Sequence, residues 1–332
     1  MNLSVIIPTR NRAKLLLRTL DAIAKVEFPQ SAFEVIVADT DSTDSTQAEC
    51  KEFSGRKSIR NFRYERCDRP GLHVGRHKGA QVADAEILVY ADDDIIPDST
   101  WLDAISESFS DPTVVLVGGN NLPDYETTPP DWVQHLWREN EWGRYNGHYS
   151  LIDFGTKGKT IPADYVYGCN FSIRKSVLME AGGFHPDGMP KELLRYRGDG
   201  ESSVSWALDR AGKKAVFHPE ASVRHWVPAS RMKPEYLSHR GYIQGISASY
   251  TEVRVKGEPS SFNPIRRFLG DSKRRLVYYM KRAEPPTWLL KRFVEGFRFH
   301  QDEVRRDPLL LQWVLKKDYW DEASSPKLMQ QI

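Results

Sequence analysis

Three consecutive carboxylates, Asp92, Asp93 and Asp94, follow the apolar run Ile87–Ala91, and Pro97 ends the stretch. Aspartate is a poor strand former, and like charges placed side by side repel. A carboxylate cluster at the end of a buried strand suits a hard cation, because Mg²⁺ and Mn²⁺ take oxygen ligands and share them with phosphates. The same residues would also suit a solvated turn that caps a helix begun by Asp98, Ser99 and Thr100. On these residues alone both readings stand. A second pair of acids, Asp199 and Glu201, precedes a segment of helical apolar spacing (Val204, Ala207, Leu208). There the helix dipole stabilises a carboxylate.

The elements that must position these acids can be read from periodicity. Leu3–Ile7 is an apolar strand closed by Pro8, Thr9 and Arg10, and Leu15, Leu16, Leu17, Leu20 and Ile23 then recur with helical spacing. Phe33–Ala38 is a second strand, ended by Asp39 and followed by the turn residues Asp41–Thr46. Strand, helix and strand at this spacing predict a βαβ unit with a right-handed crossover. A third strand is expected over residues 59–64, and a Gly-containing turn and helix over 71–83 leads into the acidic strand. Thr9 and Arg10, Asp39 and Asp41, and Asp92–Asp94 thus gather at the carboxyl ends of successive strands, where open α/β sheets bind ligands. No GxGxxG follows the first strand and no GxxxxGK[ST] occurs, which argues against a dinucleotide dehydrogenase and a P-loop enzyme.

Residues 121–160 show no clear period but are rich in aromatics, among them Trp132, Trp137, Trp142, Tyr145 and Tyr149. Their faces suit sugar rings, or they anchor an irregular loop to the core. Beyond Met232 the chain reads as helical and basic, with helices expected over 236–250, 266–282 and 288–299. Residues 1–230 carry 27 Lys and Arg against 33 Asp and Glu; residues 231–332 carry 20 against 12, which together give the net +2. The basic part could face a membrane surface or an anionic substrate, or form a solvated helical face. No recognisable nucleic-acid motif supports it, so no nucleic-acid partner is expected. Cys50, Cys67 and Cys169 have neither disulfide-framework nor zinc spacing, which suits a reducing compartment. Met1-Asn2-Leu3 shows no signal-peptide pattern, and no apolar run approaches the ~20 residues of a spanning helix. The expected location is cytoplasmic, with peripheral contact to a membrane as an option.

Five ordered motifs resemble family 2 glycosyltransferases of the GT-A fold. Ser4–Arg12 is similar to the family's opening strand, Glu34–Asp39 with Ser42-Thr43-Asp44 to its second strand, and Asp92–Asp94 to its DxD motif. Gly168-Cys169-Asn170 with Gly182-Gly183-Phe184 resembles the approach to the catalytic acid, and His225 with Pro228 and Arg231 a histidine segment. The resemblance covers roughly residues 3–230. It implies an α/β, mostly parallel GT-A sheet with flanking helices over 1–230, and a helical extension over 231–332 that meets acceptor, membrane or another subunit. It implies inverting transfer from a nucleotide sugar, with a UDP-sugar as the expected donor and a glycan or lipid-linked hydroxyl as acceptor, in polysaccharide or glycoconjugate synthesis. It also implies a Mn²⁺ or Mg²⁺ cofactor, with Asp94 as ligand, Asp92 near the metal or ribose, Asp93 beside the donor, and His225 as a ligand, a phosphate contact or a structural histidine. Asp39 would accept from the nucleobase, Pro8, Thr9, Arg10 and Asp41 would line the nucleotide, and Arg76 and Lys78 would touch it. Two departures matter. Thr40 and Asp41 replace the usual residues after the second-strand aspartate, and Gly198-Asp199-Gly200-Glu201 replaces the common Gly-Glu-Asp. Registering on the following helix makes Glu201 the base; registering on the glycines makes it Asp199. The alternative to an enzyme is a non-catalytic nucleotide-sugar or glycan-binding subunit.

Overall fold

The computed structural model describes residues 2–260 and 287–321. The helix expected over 266–282 lies outside the described residues. The chain falls into two compact units. One holds the residues up to Pro190, Gly200–Met232 and a segment that begins at Lys317; the other holds Lys191–Asp199 and Lys233–Lys316. A single boundary at residue 230 is therefore simpler than the observed division, in which Asp199 and Glu201 belong to different units.

The first unit carries an eight-stranded sheet. Its strands are β1 (Leu3–Thr9), β2 (Phe33–Thr40), β3 (Phe62–Cys67), β4 (Ile87–Ala91), β6 (Val114–Gly118), β11 (Lys159–Thr160), β12 (Asn170–Arg174) and β13 (Lys214–Phe217). The order is β11-β13-β6-β12-β4-β1-β2-β3. Strands β1, β2, β3 and β4 run parallel, while β12 is antiparallel to both β4 and β6. Strands β1, β2 and β4 are buried throughout, as expected of parallel strands covered on both faces. The crossover helices are α1 (Ala13–Ile23), α2 (Thr46–Arg56) and α3 (Leu72–Val82), with α4 (Trp101–Ser108) after the acidic strand. Helix α1 turns Leu16, Leu20 and Ile23 into the core, the face its periodicity predicted. Strand β3 begins at Phe62 rather than Ile59, because Asn61 is spent on the turn: its Nδ2 donates to the carbonyls of Gln30 and Phe33.

A second, six-stranded sheet uses the aromatic stretch that reads as irregular. Its strands are β5 (Ile95–Pro97), β7 (Asn121–Tyr125), β8 (Arg138–Asn140), β9 (Gly143–Asn146), β10 (Leu151–Asp153) and β14 (Val223–Val227), in the order β5-β14-β7-β10-β9-β8. Strand β14 runs antiparallel to β5, pairing His225 with Ile95. That pairing brings the histidine segment beside the acidic triplet. Two short helices, α5 (Asp131–Gln134) and α6 (Lys175–Glu180), and α7 (Ser202–Arg210) complete this unit.

The second unit packs α8 (Pro234–Lys256) against the helix Thr287–Arg306, with a shorter helix at Pro308–Val314. Glycines let the two long helices approach closely. A Cβ on Gly296 would lie 1.9 Å from the Tyr242 carbonyl oxygen, and one on Gly245 would lie 2.0 Å from that of Phe293. Gly296→Ala is therefore expected to destabilise this unit by at least about 2 kcal/mol despite alanine's better helix propensity, because the backbone must move apart. Denaturant unfolding would read this, and an unchanged midpoint would refute the close approach. Among the described residues, no helix is long and apolar enough to cross a membrane. The three cysteines are free and buried, so none forms a disulfide.

Candidate active site

The site forms at the carboxyl ends of β1, β2 and β4. The parallel register sets Thr9 beside Asp39, and Ile6 beside Tyr90, so the chain carries Asp92 to the level of Pro8 and Asp93 to that of Thr9. The three acids then diverge. Thr9 Oγ1 donates to Asp93 Oδ2 at 2.6 Å, and Arg12 Nη1 pairs with Asp93 Oδ1 at 2.6 Å. Asp94 Oδ2 takes the other branch of Arg12 at 2.6 Å and Arg231 at 3.4 Å. Asp94 Oδ1 instead faces His225 Nε2 at 3.2 Å. Asp92, partly exposed, looks towards Arg76, whose Nη2 is 4.0 Å away.

Asp92, Asp94 and His225 each place a ligand atom within 4.8 Å of the others. Asp93 points elsewhere: in the turn between β4 and β5 its carboxylate is taken by Thr9 and Arg12. The tautomer of His225 can be derived. Its Nδ1 lies 2.9 Å from the Tyr149 carbonyl oxygen, which only accepts, so Nδ1 carries the proton. A neutral ring then turns the Nε2 lone pair towards Asp94 Oδ1, an atom with no hydrogen-bond partner among the described residues. Two lone pairs at this distance need a shared cation, either a proton or a metal. The donor set, two carboxylates and an imidazole held by a backbone carbonyl, fits Mn²⁺ or Mg²⁺.

Charge balance around the acids follows from burial. Burial opposes ionisation of Asp94, but a positive charge at His225, then those of Arg12 and Arg231, outweighs it and holds its pKa far below the usual range. Burial, and then the charge of Asp94, pushes Asp92 upward. Burial alone would lower Arg12, yet Asp93 and Asp94 hold it above its ordinary value. Asp92, whose ionisation is opposed by burial and by Asp94, and the His225 Nε2 aimed at Asp94 form a site that an added cation would relieve.

Glu201 precedes α7, but its side chain does not cap that helix. Its carboxylate receives Arg76 Nη1 at 3.1 Å and the Gly168 N–H at 3.3 Å. Arg76, expected in a Gly-containing turn touching nucleotide or on an exposed helix face, is instead buried within α3, with its guanidinium 4.9 Å above the Phe184 ring. Burial works against its charge, and Glu201 and Asp92 maintain it. One arginine thus links Glu201 to the acidic triplet. Asp199 is placed differently: its Oδ2 accepts from Thr251 Oγ1 at 2.6 Å in the helical unit.

The other expected nucleotide residues are scattered. Asp39 is buried and already accepts from the Ser42 N–H at 2.9 Å and the Tyr64 hydroxyl at 2.6 Å. Asp41 has φ 66° and pairs with Arg66 at 3.2 Å. Pro8 turns towards Gly75 of α3, whereas Thr9 turns to Asp93. Arg10 is partly buried, and its Nε has no hydrogen-bond partner among the described residues. Lys78 pairs with Glu65 on β3 at 3.5 Å, a surface ion pair of small energetic weight. Sequence reasoning gave no role to Arg12, Arg231 or Tyr64, and read Tyr149 only as a sugar-facing or loop-anchoring aromatic. A signal existed only for the arginines, which belong to the quoted motifs. Arg12 reaches Asp94 from the turn at Asn11, which has φ 54° and whose Oδ1 accepts from the Thr43 N–H at 2.7 Å.

A mostly parallel nucleotide-binding sheet with acids at its strand ends, an added antiparallel strand and a second small sheet define a GT-A architecture. The model of "Glycosyl transferase family 2" matches residues 4–182, and the chain belongs to that family. Among curated proteins it is similar to the glucosyl-dolichyl phosphate glucuronosyltransferase of Haloferax volcanii, 22% identical over 218 residues that cover 64% of each chain. The chain spans less than two thirds of the length of the first curated relatives it matches. Among solved structures it resembles the mannosyltransferase PcManGT of Pyrobaculum calidifontis, in complex with GDP-Man and Mn²⁺. That match has 18% identity and a TM-score of 0.54, covering 97% of this chain and 88% of that one. It also resembles residues 1–349 of S. aureus TarS in complex with UDP-GlcNAc, at 17% identity and a TM-score of 0.52, covering 96% and 88%.

Proposed function

We propose that this protein transfers a sugar from a nucleotide-sugar donor, a UDP-sugar in the first instance, to a hydroxyl of a glycan or lipid-linked acceptor with inversion at the anomeric carbon. The observation that carries the reading is the joining of Glu201, through Arg76, to the Asp92–Asp94–His225 cluster at the strand ends of a family 2 chain. Asp92, Asp94 and His225 would hold Mn²⁺ or Mg²⁺. When bound, that ion supplies positive charge for a departing diphosphate.

Glu201 takes the proton of the acceptor hydroxyl as its oxygen attacks the anomeric carbon. The bond from that carbon to the diphosphate breaks, and the electron pair leaves with the nucleoside diphosphate. Arg76 and the Gly168 N–H keep the Glu201 carboxylate oriented before the attack. Arg12 and Arg231 fix Asp94 through one oxygen and leave the other for the cation. Asp39 accepts from the nucleobase on a lone pair left after Ser42 and Tyr64. The donor reading is supported by the two solved relatives, one carrying GDP-Man with Mn²⁺ and one UDP-GlcNAc. The lipid-linked option is supported by the name of the Haloferax relative. A cytoplasmic location with peripheral membrane contact, and a role in polysaccharide or glycoconjugate synthesis, belong to the same reading; the basic balance of residues 231–332 supports the contact.

The test is release of nucleoside diphosphate from a panel of UDP- and GDP-sugars with candidate acceptors, in Mn²⁺, Mg²⁺ or EDTA. Turnover of one donor that EDTA stops is the expected result. A protein that binds donors but turns over none would be a non-catalytic binding subunit.

A further inference from the structure

Beyond the helix Pro308–Val314 the chain re-enters the first unit, where Tyr319 and Trp320 settle against α3 and the loop at Gly183–His185. The Trp320 ring stacks on His77 with centroids 4.1 Å apart, and Gln81 Nε2 donates to the Trp320 carbonyl at 3.3 Å. His77 is the keystone. Its Nδ1 lies 3.1 Å from the Tyr319 carbonyl oxygen, so Nδ1 is the donor, and its Nε2 accepts the Phe184 N–H at 2.9 Å. Burial, with His73 nearby, holds the His77 pKa down at about 3, so the ring stays neutral and both bonds persist. The space is tight. A Cβ on Gly183, which has φ +75°, would lie 2.6 Å from His77 Nε2 and 2.8 Å from the Trp320 ring.

This contact leads to the catalytic acid by two routes. The Phe184 ring supports the Arg76 guanidinium, which pairs with Glu201. The next residue, His185, donates its N–H to the Gly200 carbonyl at 3.2 Å, directly before Glu201. The Tyr319 ring closes edge-on against His185 at 5.6 Å. Tyr319 and Trp320 therefore support both the partner of Glu201 and the backbone that carries it.

We infer that Trp320, clamping His77 and through it Phe184, is a positioning residue that sets the Arg76–Glu201 geometry for proton abstraction. The inference rests on the sugar-transfer reading and adds a remote part to it. Misplacing a reacting group by about 1 Å can cost on the order of a hundredfold in rate. Trp320→Ala is expected to lower kcat by about tenfold to a hundredfold while donor KM and nucleotide Kd stay within about twofold. Trp320→Phe keeps a ring on His77 and should recover most of the rate. Gly183→Ala disturbs the same stack from the opposite side and should reproduce the split. Full kcat in Trp320→Ala, or a donor KM that rises as kcat falls, would overturn the inference and leave sugar transfer standing. A Trp320→Phe variant as slow as Trp320→Ala would also count against it. A wild type inert towards every donor would overturn the functional reading and take this one with it.

Discussion

Glu201→Gln is expected to lower acceptor-dependent turnover by about a thousandfold, within the usual range for losing a general base. The substitution suits the site. Glutamine keeps a carbonyl oxygen for Arg76 Nη1 or the Gly168 N–H, so the pocket should stay assembled while the proton acceptor is lost. Nucleotide Kd, measured by calorimetry on the same sample, should change little. Asp199→Asn is the control, because Asp199 holds Thr251 in the helical unit while Glu201 receives Arg76. A modest loss of stability and near-normal turnover are expected there. The opposite pattern, with Glu201→Gln active and Asp199→Asn dead, would move the base to Asp199.

Asp94→Ala should weaken Mn²⁺ binding and slow turnover by about a hundredfold or more each, since it removes one of three ligands and the charge that balances a cation. Mn²⁺ binding, followed by electron paramagnetic resonance without any donor, separates the metal effect from catalysis. Stability should also fall. Breaking a buried ion pair by removing one partner costs roughly 3–5 kcal/mol, although Asp93 still holds Arg12. His225→Gln should weaken the metal as well, yet spare Arg12 and Arg231. If Mn²⁺ binds Asp94→Ala as tightly as wild type and EDTA leaves turnover unchanged, Asp94 serves to place the two arginines, and their guanidinium groups carry the leaving-group charge.

Much of the catalytic half could be read from periodicity and end residues. Apolar runs that stop at Thr9, Asp39 and Asp92 mark parallel strands ending at one edge, and the observed registers bring those ends together. The separate tasks of Asp92, Asp93 and Asp94 were not legible. Identical side chains on neighbouring residues point different ways, and direction depends on partners far along the chain, such as Arg12, Arg76 and Arg231. The sheet within 121–160 was hidden for another reason. Its strands are three to five residues long and mostly half-buried, too short to show a period of two. Asp199 and Glu201 stand two residues apart on either side of Gly200, yet a change of compact unit separates them. No local pattern signals such a change.

The group that orients His225 is the main-chain carbonyl of Tyr149, not a side chain. Every amino acid carries that oxygen, so the ligand's tautomer does not depend on which residue occupies position 149. What it does depend on is the path of the chain there: Tyr149 is buried, its N–H bonds to the Asn146 carbonyl and its hydroxyl reaches the Arg231 carbonyl. The residue at position 149 can thus vary without changing the bond that orients His225, as long as the route of the chain past Asp94 and His225 is kept.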